Sequence, residues 1–369
     1  MIQRFYIHNF RCLENFELPI AGKPSSLLIG KNGSGKSTVG VALEVLQKIA
    51  RGTNRVRQLV KPSDLARGRS DSPSRFEIEA KIEGKLYQYS LAFELLEGSK
   101  ELRVIEEKLV AGESIVYARE DAQISLYRTT ENVKAEFSVD PHLVALPIMQ
   151  AQSNEDPLFI FRDWLAKMLI LNPLPSLIMG YSEDQTLLPE RELLDFSEWF
   201  TGLLAQYPAS YARIAGYLKV VMPDFKDVQN LAIGSNFRNL TVQFQSEQRT
   251  LSLPFGDLSD GEKCFFICAV VLAAHEADKT LFCFWDEPDN YLSLSEIGYF
   301  IMALRSAFLS GGQLLITSHN HQVMQQFPDE AILILQRRSH LEPPFIRTAS
   351  ELEIKGDLGE AMIRGDLSL

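Results

Sequence analysis

Apolar and polar side chains alternate over residues 3–10 and again over 15–20, the period-2 pattern of paired strands, and a largely apolar run follows at 26–29. From residue 36 the rhythm changes: Val39, Ala42, Leu43, Leu46 and Ile49 recur at helical spacing. The opening of the chain therefore predicts strand, glycine loop, helix. Alternation returns at 76–82, 86–93, 113–118 and 135–139, predicting an add-on antiparallel sheet of about four strands. From Pro157 the spacing is helical, with helices expected at 161–171, 190–206 and 211–221 between Asn-Pro, Leu-Pro, Tyr-Pro and Met-Pro steps. Strands are expected at 240–244 and 250–253. Helix and strand then alternate through 262–277, 280–285, 295–308, 313–317 and 331–335, which predicts an α/β fold around a mostly parallel, doubly wound sheet. The expected organisation is a first half-domain over 1–156 carrying the add-on sheet, a helical insertion over 157–235, a second half-domain over 236–345, and a tail over 346–369 that wraps or frays.

The strand-loop-helix at the start contains Gly30-Lys31-Asn32-Gly33-Ser34-Gly35-Lys36-Ser37, a full match to the G-x-x-x-x-G-K-[ST] phosphate loop in its required setting. Backbone N–H groups of Gly30, Asn32, Gly33, Ser34 and Gly35, with Lys36, Ser37 and Thr38 at the helix start, are the expected cradle for a triphosphate. Lys36 is expected to bridge the β- and γ-phosphates, and Ser37 to give one oxygen to Mg²⁺, a hard ion that takes few protein ligands. The apolar run 281–285 ends in Asp286 and Glu287. Neighbouring side chains of a strand point to opposite faces, so the two carboxylates can divide the work: Asp286 toward the metal, Glu287 as the base that polarises water. The strand at 313–317 ends in Ser318-His319-Asn320, and a neutral imidazole there is placed to donate to a γ-phosphate oxygen. His8, His142, His275, His321 and His340 carry no such argument. Ser259, in Leu258-Ser259-Asp260-Gly261-Glu262-Lys263, reads as the N-cap of an apolar helix, a sufficient structural explanation by itself.

Taken in order, these four pieces resemble the ATPase heads of the RecF, SMC and OLD families, P-loop NTPases of the ABC-ATPase type. Phe5-Tyr6-Ile7-His8-Asn9-Phe10-Arg11 is similar to their opening strand, and 289–294 stands where their D-loop crosses a dimer interface. The likeness covers roughly 1–50 and 235–340. It implies ATP and Mg²⁺ as ligands, hydrolysis by Glu287, His319 and Lys36, and a head-to-head homodimer. Ser259 and Gly261 of one copy would then bind the γ-phosphate held by the other. The insertion is too short for an SMC coiled coil, and no acidic nuclease domain follows His319, so the resemblance implies a bare head. Such heads look most like the ATPase subunits of two-component anti-phage systems such as Septu, PARIS and retron-linked modules, which work with a separate nuclease or toxin. A RecF-like repair factor and an ATP-binding scaffold with negligible turnover are the alternatives. Gln88 and Gln150 are the candidates for the glutamine that senses Mg²⁺ in these heads.

Composition changes this picture in three places. The longest apolar run, 264–274, is 11 residues, about half of the roughly 20 needed to span a bilayer, so no membrane association and a cytoplasmic address are expected. Cys12, Cys264, Cys268 and Cys283 show no CxxC spacing and read as buried thiols in preference to metal or redox groups. The net charge is −11, yet Lys48, Arg51, Arg55, Arg57, Lys61, Arg67, Arg69 and Arg75 face only Asp64 and Asp71. That segment is either a footprint for nucleic acid or a solvated loop.

Overall fold

A computed structural model describes residues 1–127, 133–233 and 237–352. The chain opens with β1 (Ile2–His8), β2 (Phe16–Glu17) and β3 (Ser25–Ile29), then α1 (Lys36–Ala50) and a single turn, α2 (Val56–Leu59). A run of strands follows: β4 (Ser74–Ile82), β5 (Lys85–Glu94), β6 (Arg103–Ala111), β7 (Ser114–Glu120), β8 (Gln123–Tyr127) and β9 (Val133–Ser138). After α3 (Pro157–Lys167) come β10 (Leu169–Leu171), β11 (Tyr181–Ser182), α4 (Phe196–Gln206) and α5 (Ser210–Val221). The strands β12 (Phe225–Ile233), β13 (Phe237–Ser246) and β14 (Arg249–Pro254) lead into α6 (Asp260–Ala277), β15 (Phe282–Trp285), α7 (Leu294–Phe308) and β16 (Gln313–Thr317). The last elements are α8 (His321–Met324), β17 (Ile332–Gln336) and β18 (Phe345–Thr348). Residues 353–369 of the expected tail lie outside the described residues.

The chain forms two compact units. The first comprises Met1–Met168 with a return segment from Asp329; the second is Leu169–Pro328. In the first, β2-β1-β4-β5-β6-β7-β8-β9 make an eight-stranded antiparallel sheet, longer than the four or so strands expected because β1 and β2 join its edge and β6 and β8 lie within it. Strand β6 escapes the alternation rule for two reasons: a register shift interrupts its pairing with β5, and an inward position carries Glu107 where an apolar residue belongs. Glu107 is fully buried and accepts hydrogen bonds from Tyr89, Tyr117 and the backbone N–H groups of Ala145 and Leu146, with Arg119 3.8 Å away. Burial pushes its carboxyl up while those donors pull it down. This network fastens 143–146 to the sheet. Strand β3, buried at every position, pairs in parallel with β17, which pairs antiparallel with β18.

In the second unit β10, β15 and β16 run parallel, and all three are buried throughout, as strands covered on both faces must be. Helix α6 is apolar around its whole circumference from Cys264 to Ala273, which fits a helix buried on all sides. The antiparallel strands β11-β13-β12, with β14 on β13, form a separate small sheet. Of the expected helices, one lies four residues earlier than its periodicity suggests and one is shorter. The first runs Pro157–Lys167, capped by Asp156, and 169–171 is strand β10; three apolar residues cannot by periodicity declare themselves helix or strand. The second starts at Phe196, because the Asp195 carboxylate accepts from the Glu190 N–H and Leu193 takes φ +57, a local turn that competes with helix.

Candidate functional site

The phosphate loop belongs to the first unit. Gly30 leaves β3 against the carbonyl of Leu335, and any Cβ there would collide with that oxygen and come within 2.8 Å of Ser34 Oγ. Gly35 closes the loop at φ +111, where a Cβ would sit 2.8 Å from Cys12 Sγ. These two positions exclude side chains for different reasons, one steric and one both steric and conformational. The loop then feeds α1, whose N-terminus has no side-chain cap and no acidic residue in its first turn, so that end presents its positive dipole and N–H groups unopposed. Lys36 is buried and its Nζ donates to Gly30 O at 2.8 Å, folded back over the loop. The Ser34 hydroxyl is buried without a hydrogen-bond partner, a vacancy in polar satisfaction that a phosphate oxygen would fill. Asn32, Gly33 and Ser37 are exposed, and Thr38 Oγ1 accepts a long hydrogen bond from Cys12 Sγ. The loop fits an anionic ligand.

Asp286, Glu287, His319, Ser259 and Gly261 belong to the second unit. Strand β15 delivers Asp286 at its end, 5% exposed, with its N–H donating to Leu171 O. Its Oδ1 accepts from the Thr317 hydroxyl at 2.6 Å and its Oδ2 lies 3.8 Å from the Arg191 guanidinium. Glu287 turns the chain at φ +50, and its N–H donates to the same Thr317 oxygen at 2.9 Å. His319 Nε2 is 2.8 Å from Glu287 Oε1, and Asn290 Nδ2 donates to Oε2 at 2.7 Å. Glu287 and His319, expected separately from two strand ends, are therefore in direct contact. Among the described residues no three His, Cys, Asp or Glu side chains cluster as a metal site. A single carboxylate such as Asp286 suits a cation that keeps most of its waters.

Ser259 caps α6 in a reciprocal capping box: its Oγ accepts from Glu262 N, and Glu262 Oε2 accepts from both the N–H and the hydroxyl of Ser259. Gly261 packs under the 289–294 segment, where a Cβ would stand 2.9 Å from Tyr291 O. Lys263 is buried and donates to Pro175 O. In the same segment Asp289 accepts from Ser318 Oγ, and burial raises its carboxyl above the usual range. The 258–263 turn thus packs against the 289–294 segment, and that segment is tied in turn to the loop after β16.

Residues 25–324 match the family described as "AAA domain, putative AbiEii toxin, Type IV TA system". The chain belongs to this family. No curated protein matches it. Among solved structures, this AAA domain is similar to the SmcHead in its crystal structure bound to the C-winged helix domain of ScpA, with TM-score 0.56, 14% identity, and coverage of 98% of this chain and 99% of that one. It is also similar to the Smc head domain with an extended coiled coil bound to the C-terminal domain of ScpA derived from Pyrococcus furiosus, with TM-score 0.51, 13% identity, and coverage of 100% and 99%. The shared fold is that of an SMC-type ATPase head, an α/β P-loop NTPase with mixed sheets.

Elsewhere in the AAA domain, Gln88 lies within the antiparallel sheet opposite Glu79 and Val110, and Gln150 is exposed in the segment between β9 and α3. Cys264, Cys268 and Cys283 are buried, which pushes the first two thiols up to about 12; Cys12 is half-buried beside the phosphate loop. Much of the basic segment is committed locally. Arg67 and Arg69 pair with Glu14, Arg75 with Glu106 and Lys48 with Glu44, while Arg51 donates to Ala166 O. Arg55, Arg57 and Lys61 are exposed. No helix among the described residues is long and apolar enough to cross a membrane. Thr317, Asn290, Arg191 and Ser318 were not singled out by motif. Only the pairing of β15 with β16, which sets Thr317 beside Asp286, brings the first of them to notice.

Proposed function

We propose that this protein binds and hydrolyses ATP with Mg²⁺ and that its working site is shared between two copies meeting head to head. One copy supplies Lys36, the N-terminal end of α1, Ser37 and Asp286; the other supplies Ser259 and the N–H groups around Gly261. Ser37 and Asp286 would hold Mg²⁺, which would supply charge neutralisation to the transferring phosphoryl group. Glu287 takes the proton of the attacking water and His319 donates to a γ-phosphate oxygen. The observation that carries this reading is the Glu287–His319 contact at 2.8 Å beside the buried Asp286, which brings the proposed base and donor together from the ends of two neighbouring strands.

The role we infer is that of a sensor or scaffold in an anti-phage defence system with a separately encoded effector, a nuclease or toxin, and with residues 157–235 as its lever. The family description, which names a toxin and a TA system, supports this side, and both similar heads were solved bound to a partner protein. The RecF-like alternative relies on the basic segment, and the ion pairs to Glu14, Glu44 and Glu106 weaken it. A scaffold without turnover is disfavoured by the intact base and imidazole. Glu287→Gln keeps the binding contacts and removes the base, so ATP should convert this variant to a stable dimer in multi-angle light scattering. A variant that stays monomeric with saturating ATP and Mg²⁺ would remove the shared-site reading.

A further inference from the structure

We propose that Thr317 is a positioning residue that sets the metal carboxylate and the catalytic base from a single hydroxyl. The inference rests on the reading of Asp286 as the metal carboxylate and Glu287 as the base. Thr317 ends β16 one residue past Ile316, which pairs with Trp285 just before Asp286, and it is 0% exposed. A hydroxyl has one proton and two lone pairs. Here the proton goes to Asp286 Oδ1 at 2.6 Å, and one lone pair receives the Glu287 N–H at 2.9 Å. The first bond fixes the orientation of the carboxylate, with Oδ1 on the Thr317 hydroxyl and Oδ2 turned to the side where the Arg191 guanidinium stands 3.8 Å away. The second bond holds Glu287 at φ +50, a conformation that a residue with a Cβ keeps only when its surroundings enforce it. Groups that orient a metal-binding carboxylate through hydrogen bonds tune its affinity in this way.

A purely packing role makes the opposite prediction, because valine has the same shape as threonine and is more at home in an apolar interior. The test measures Mn²⁺ binding by electron paramagnetic resonance on the ATP-loaded protein, with metal-free binding of a fluorescent ATP analogue and thermal unfolding in parallel. Thr317→Val should weaken Mn²⁺ by about tenfold or more and leave metal-free nucleotide binding unchanged, and Thr317→Ser should restore the metal affinity. If Thr317→Val proves insoluble, Thr317→Ala replaces it against the same serine control. Wild-type Mn²⁺ affinity in the hydroxyl-free variant, or a serine variant as weak as valine, overturns the inference while leaving the ATPase reading intact. Failure of the wild-type protein to bind Mn²⁺ with ATP overturns both.

Discussion

Glu287 and Gly35 both hold positive φ, but only one of them was free to choose its side chain. For Glu287 the left-handed backbone costs of order 1–3 kcal/mol, and the Thr317 and Asn290 bonds hold it there. Gly35 has no such latitude, since φ +111 and the Cys12 sulfur together forbid a methyl group. Gly35→Ala should therefore lose about 1–2 kcal/mol from backbone strain alone and also lose ATP binding. Adding Cys12→Ala should relieve the collision and recover only part of both, as read by thermal unfolding and nucleotide titration; complete recovery would show that φ imposes nothing. The charged members of the site were legible because glycine loops and adjacent acids are rare patterns with a stated chemistry. Thr317, Asn290 and Arg191 were not, because threonine, asparagine and arginine are common anywhere and acquire meaning only from the partner that pairing sets beside them.

Elements with strong periodicity, such as α1, α6 and α7, were legible to within a few residues. Two of those that failed did so where a polar group intervenes. Strand β6 hides its pattern behind Glu107 and a register shift, and the segment before α4 turns because Asp195 binds the Glu190 N–H. Asp195 gives this scale its prediction. Burial, the largest influence, raises its carboxyl from 3.8 to about 6 against the pull of the backbone donor at Glu190. A raised carboxyl means that the folded state holds its proton longer than the unfolded chain. The associated stabilisation is present in full below pH 3.8 and is lost as pH rises through about 6. Asp195→Asn, neutral at every pH, should remove that part of the decline in melting temperature between pH 4 and 6.5, and an unchanged slope in the variant would contradict the assignment.

At the level of the molecule, the α/β class and the mostly parallel core were legible from alternating elements, whereas the size of the antiparallel sheet was not, because β1, with β2 on its outer side, joins β4 some 70 residues later. The basic segment shows the same limit: its charge is plain in the sequence, but the neutralising Glu14, Glu44 and Glu106 are supplied by the fold. The claim that governs the rest is that nucleotide is clamped between two copies, with each lacking what the other donates. Mixing two inactive variants tests it, Lys36→Ala, which cannot hold phosphate, and Ser259→Arg, which obstructs the turn at the start of α6. Random pairing in a two-fold dimer leaves one intact site in each mixed pair, so phosphate release should return to about a quarter of the wild-type rate. A mixture as inactive as its separate components would mean that no site is shared.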